Sequence, residues 1–102
     1  MTYGFVMDVP APIEFYDTMH AEVTRRTPDG VEGLLLHVCR QTSGGFQITE
    51  VWESKELSDR ADAEIVGPVL AQLTGGRPPP QEPATEEFEP RGLVVPAAHV
   101  AF

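Results

Sequence analysis

Four residues able to do chemistry fall in two short runs. His37 and Cys39 lie in Leu34-Leu35-Leu36-His37-Val38-Cys39, and Glu50 and Trp52 in Phe46-Gln47-Ile48-Thr49-Glu50-Val51-Trp52. A spacing of two on extended chain puts both members of each pair on one side. Between the runs stands Thr42-Ser43-Gly44-Gly45, a hairpin turn by composition, so the two strands pair antiparallel. His37 then falls opposite or near Glu50, at cross-strand distance. A histidine oriented by a carboxylate in an apolar cavity can shuttle the proton of an aromatic hydroxyl, which makes His37 and Glu50 the candidate catalytic pair. The same two groups also read as a polar pair satisfying itself inside the protein. His37, Cys39 and Glu50 are zinc-ligand types, but His-x-Cys on a strand is no recognised metal spacing, and no metal is expected.

Other candidates are plainer. His20 falls on the apolar stripe of a helix and reads as a packed core histidine. Asp8, ending the first strand, is a turn aspartate or a base near a cavity mouth. Cys39 has no cationic neighbour in sequence, so nothing marks it as a reactive thiolate. No Gly-rich phosphate loop, nucleophile elbow or nucleotide fingerprint occurs.

These residues need elements to hold them. Tyr3, Phe5, Met7 and Val9 alternate with smaller or polar residues, the period of a strand. Pro10 and Pro12 end it, and a helix follows over 13–26 with Ile13, Tyr16, Met19, His20 and Val23 as its stripe. Strands are predicted over 31–42 and 46–53. Ser54 can cap a second helix from Lys55, with Leu57, Ala61, Ile65, Val69 and Leu73 inward. Pro68 should kink or break that helix, and Gly75-Gly76 stops it. A proline-rich connector leads to a last strand over 83–95, and 96–102 is an apolar C-terminal tail expected to pack against a dimer of the chain with Phe102 as its anchor.

The order β-α-β-β-α-β is the ferredoxin-like split motif: a single α+β domain over 1–102, with a four-stranded antiparallel sheet and two helices on one face. With a tight hairpin, Leu34, Leu36, Val38, Thr49 and Val51 share one face. Leu35, His37, Cys39, Ile48, Glu50 and Trp52 share the other. Both faces carry large apolar groups, and two helices cover only one. The second, taken as the face with Leu35, Ile48 and Trp52, should meet another copy of the chain, making a homodimer.

Composition narrows the partners. The chain has 102 residues and a net charge of −9, a field that repels phosphate backbones and anionic lipid. Neither nucleic acid nor a membrane is expected as a partner. The opening Met1-Thr2-Tyr3-Gly4 lacks the basic stretch of a signal peptide, and one cysteine fits a reducing compartment, so a cytoplasmic protein is expected.

The run Gly45-Phe46-Gln47-Ile48-Thr49-Glu50-Val51-Trp52-Glu53-Ser54-Lys55-Glu56, closing a strand and opening a helix, resembles the V-x-W-E-S-x-E signature of the antibiotic biosynthesis monooxygenase-like proteins, most closely in Trp52-Glu53-Ser54-Lys55-Glu56. The likeness in element order spans roughly residues 3 to 95. It implies a dimeric α+β barrel with a ligand cavity in each half and the motif tryptophan, here Trp52, lining it. Leu35, Ile48 and Tyr3 would line the same cavity, around a small aromatic or polycyclic ligand. The activity implied is oxidation or rearrangement of that ligand without metal, flavin or other cofactor. Haem-degrading relatives pair their tryptophan with a histidine about ten residues on and use an asparagine on the first strand. Here Ala61-Asp62-Ala63 occupies the first place and the chain contains no asparagine, so haem degradation is not expected. The alternative is a non-catalytic binding or structural dimer with a filled cavity.

Overall fold

Alternating large residues make Tyr3–Val9 a strand, β1, and Pro10 and Pro12 stop it before helix α1, Ile13–Arg26, in a computed structural model that describes residues 1–101. Arg25 and Arg26 lie in the last turn of α1, where cations complement the helix dipole. Strands β2, Leu34–Thr42, and β3, Gly45–Trp52, form the expected hairpin, joined through Ser43 and Gly44.

The second helical segment starts where Ser54 accepts from the Leu57 amide, at 3.2 Å. It comprises α2, Lys55–Ala61, a π-helical turn over Asp62–Val66, and α3, Gly67–Thr74. Proline is the reason for the turn. Pro68 cannot donate, and its ring would press on the carbonyl four residues back. The Gly67 amide reaches instead to the Asp62 carbonyl, and the added residue restarts the helix with Pro68 in its first turn. Gly75, left-handed at φ 65°, ends α3.

Strand β4, Ala84–Phe88, completes a sheet of order β2-β3-β1-β4, antiparallel throughout and ferredoxin-like. The strand expected over 83–95 is therefore shorter than the sequence suggested. Pro90 and Gly92 interrupt it, and Val94–Val95 pairs instead with Val100–Ala101 in a small separate hairpin, β5 and β6. A 3-10 turn over Pro96–Ala98 and His99 at φ 59° reverse the chain there. The anchor expected of Phe102 lies outside the described residues.

The sheet register sorts side chains into two sets of rows. One face carries Glu87, Phe5, Glu50 and His37 in one row, and Met7, Ile48 and Cys39 in the next. Helix α1 packs on this face. Tyr16 is buried with Phe46 and Ile48, against Phe5, Val9 and Cys39. This corrects the expected arrangement: the face with Ile48 and Trp52 is the covered one, and both residues are buried. A hairpin's alternation distinguishes two faces but does not say which one the helices take.

The opposite face carries Phe88, Gly4, Val51 and Leu36 in one row and Glu86, Val6, Thr49 and Val38 in the next. The Phe88 ring lies directly over Gly4, where a Cβ would collide with it. On this side Val38 and Phe88 are 49% and 37% exposed, although Val51 on an inner strand is buried. A bulge between Leu34 and Leu36 shifts the end of β2. It sets Leu34, not Leu35, across from Trp52 and leaves Leu35 as the unpaired extra residue.

Candidate functional site

Opposite positions in the β2–β3 ladder bring His37 and Glu50 together, with Nδ1 2.5 Å from Oε2. Two residues along β3, on the same side, Trp52 donates its indole N–H to Glu50 Oε1 at 2.9 Å. From the helix above, the Tyr16 hydroxyl lies 2.6 Å from His37 Nε2. One turn along α1, His20 Nδ1 lies 3.3 Å from the same hydroxyl. The rings of Tyr16, His20 and His37 are stacked, with centroids 5.3 to 5.9 Å apart.

Donor and acceptor chemistry orders this chain. A carboxylate only accepts, so Glu50 takes the Trp52 N–H and the His37 Nδ1–H. That fixes the His37 tautomer and leaves its Nε2 lone pair for the Tyr16 O–H. Burial pushes the Tyr16 hydroxyl up to about 12 from the usual 10.0, with Cys39, Glu50 and Asp17 adding to the shift. Tyr16 is therefore a protonated donor at neutral pH. The His37 and Glu50 side chains keep 25% and 16% of their surface exposed.

The chemistry of Tyr16 leaves little mark in the sequence, and His20 reads there only as a packed core histidine. Tyr16 is a member of an apolar helical stripe, and its only mark is that a buried tyrosine needs a partner for its hydroxyl. His20 is exposed, not the packed core residue expected, because the stripe's edge leaves its ring at the margin of the core.

The other candidates fall elsewhere. Trp52 is 4% exposed, with its N–H spent on Glu50. Leu35 is half-buried at the bulge. Tyr3 is across from Trp52, but its hydroxyl donates to Glu87 Oε2 at 2.8 Å and Lys55 stands over its ring. A surface depression of about 390 Å³ is lined by Tyr3, Lys55, Glu87 and Phe88, and another of about 420 Å³ by Pro10–Glu14 and Gln41–Gly45. Neither is lined by His37, Glu50 or Trp52. Asp8 accepts from Gln47 at 3.0 Å and projects from the uncovered face, away from His37. Burial raises the Cys39 thiol, so it stays protonated. Among the described residues no group of three His, Cys, Asp or Glu could hold a metal ion.

The architecture has many solved counterparts. A protein from Chloroflexus aurantiacus, provisionally named an antibiotic biosynthesis monooxygenase, superposes with a TM-score of 0.64 at 24% identity, over 93% of this chain and 98% of that one. A similarly named protein from Caulobacter crescentus gives 0.63 at 11% identity, over 85% and 87%. The fold is that of the antibiotic biosynthesis monooxygenases. SnoaB, a cofactor-independent oxygenase from Streptomyces nogalater, also shares this monooxygenase fold, with a TM-score of 0.58 at 15% identity over 93% and 95% of the two chains. No family model and no curated protein matches the sequence. Among the described residues no helix is long and apolar enough to cross a membrane.

Proposed function

We propose that the protein binds a small aromatic or polycyclic phenol and that His37, backed by Glu50, takes the phenol's proton. One observation carries this reading: a phenol already occupies the position. The Tyr16 hydroxyl sits 2.6 Å from His37 Nε2, while Glu50 holds Nδ1 from behind. A substrate hydroxyl replacing that of Tyr16 meets the same lone pair. The phenolate it leaves is electron-rich enough to react with dioxygen directly. One oxygen atom enters the ring carbon para to the hydroxyl and the other departs as water, giving a quinone, so the reading requires neither metal nor flavin. That SnoaB is a cofactor-independent oxygenase of the same fold supports this class of reaction.

In this reading Trp52 positions Glu50 through its indole N–H, and Ile48, Leu35 and Tyr3 shape the surroundings. The assembly is a cytoplasmic homodimer joined through the uncovered sheet face, where exposed Val38 and Phe88 need covering. A second reading, a non-catalytic dimer with a filled interior, is favoured by the burial of Trp52 and Ile48.

The test is a panel of mono- and polycyclic phenols followed through Trp52 emission, with oxygen consumption measured for each one bound. Binding that His37→Gln weakens, with oxygen uptake that it abolishes, supports the enzyme. Binding with no oxygen uptake supports the accessory protein, and no binding of any phenol sinks the ligand reading.

A further inference from the structure

His37 cannot act twice as a base without losing the proton it has taken. Glu50 blocks its Nδ1 side, and the carboxylate's other oxygen is held by Trp52, which is buried. The way out therefore runs from Nε2, and the group seated there is Tyr16. Its hydroxyl also lies 3.3 Å from His20 Nδ1, and His20 is exposed. We propose that Tyr16 and His20 form the proton outlet of His37, resetting it between turnovers. This rests on the proton-accepting role given to His37 above.

Each transfer balances. The His37 imidazolium passes its Nε2 proton to the Tyr16 oxygen as the Tyr16 hydroxyl proton moves to His20 Nδ1. His20, charged for that moment, releases its Nε2 proton to water, and because it is exposed its Nδ1–H form exchanges through water back to the Nε2–H tautomer before the next transfer. Tyr16 ends as it began, a neutral phenol, and never stands as an anion. That suits a hydroxyl whose ionisation burial opposes. The titratable groups that act on the Tyr16 hydroxyl are Cys39 from β2, Asp17 from α1 and Glu50 from β3. The near-parallel rings hold the two imidazoles on either side of one hydroxyl, the arrangement a two-step transfer needs.

Both ends are histidine, a side chain that can accept a proton at one ring nitrogen and give one up at the other. Removing His20 is a surface change and leaves the His37–Glu50 pair whole. It is thus the informative variant, with Tyr16→Phe as its companion.

The experiment uses ligand-free protein, so failure of phenol binding leaves its outcome readable. Nitrogen-15 NMR of the histidine rings, at a pH low enough to hold His37 as the imidazolium, gives the exchange of its Nε2 proton with water. In His20→Gln and in Tyr16→Phe that exchange should slow roughly tenfold, about the rate factor of one lost hydrogen bond. Free imidazole added to His20→Gln should restore it by taking the vacated position, a rescue that a structural role of His20 would not show. Exchange that is unchanged or faster in His20→Gln, or slowed without rescue, overturns the outlet.

Discussion

The Tyr16 hydroxyl lies between two imidazoles, 2.6 Å from His37 Nε2 and 3.3 Å from His20 Nδ1. Its environment gives a direct spectroscopic expectation. The chain has two tyrosines, and burial is the first cause holding each up at about 12, with Glu87 second for Tyr3. An ultraviolet titration should therefore show almost no tyrosinate at pH 10, where an ordinary tyrosine is half ionised. The folded values exceed the unfolded ones, so the stability this confers is whole below pH 10 and is lost as pH climbs through 12. Tyr16→Phe should flatten that alkaline decline. A normal titration of both residues in folded protein would contradict the buried hydroxyl.

Gly4 lies on the uncovered face near the start of β1, across from Phe88 on β4 and Val51 on β3. Any side chain there must push the Phe88 ring off β1. Gly4→Val should lower stability by about 1–3 kcal/mol in urea unfolding, the usual cost of overpacking. Adding Phe88→Ala should recover part of that loss, because the two changes share one space. Strict additivity would mean that the ring does not occupy the glycine's place.

Much of this architecture is written in the chain. Alternation at Tyr3, Phe5, Met7 and Val9 gives β1, the Ser43-Gly44 turn sets the hairpin, and Pro68 marks where the second helical segment changes. The cross-strand meeting of His37 and Glu50 was legible because a two-residue hairpin leaves little freedom in register. The Leu35 bulge was not, since nothing local distinguishes an extra residue in a run of three leucines. Nor was the covered face, which depends on where α1 docks. Tyr16 illustrates the limit for the site: it meets His37 across 21 residues of sequence, a tertiary contact with no local trace. The end of β4 was overextended because Pro90 and Gly92 were read through, although a proline cannot donate to a ladder.

The dimer has a simple test. Val38 is 49% exposed on the edge strand β2, on the face proposed for the partner, so Val38→Lys should cost the single subunit little. In light-scattering chromatography the parent should elute as a dimer and the variant as a monomer with unchanged circular dichroism. A parent that is monomeric at micromolar concentration removes the barrel; a variant that remains dimeric moves the interface elsewhere.

Trp52 decides how Glu50 is held. It is the only tryptophan, 4% exposed, and its N–H reaches Glu50 Oε1 at 2.9 Å. Its emission should be blue-shifted and poorly quenched by iodide, since an anion cannot approach a buried ring. Trp52→Phe keeps most of the apolar volume but removes the donor and leaves a partial void. Those two losses together should cost about 2–3 kcal/mol in urea unfolding. The carboxylate would then have one fewer fixed donor, and the His37 ring should broaden in NMR spectra as Glu50 gains freedom to rotate. Glu50→Gln provides the control, because it removes the charge His37 leans on while retaining an oxygen for the indole. If Trp52→Phe unfolds at the parental urea concentration and leaves the His37 resonances sharp, the indole serves neither packing nor Glu50. It would then be a surface for a ligand, to be tested by the same phenol panel against that variant.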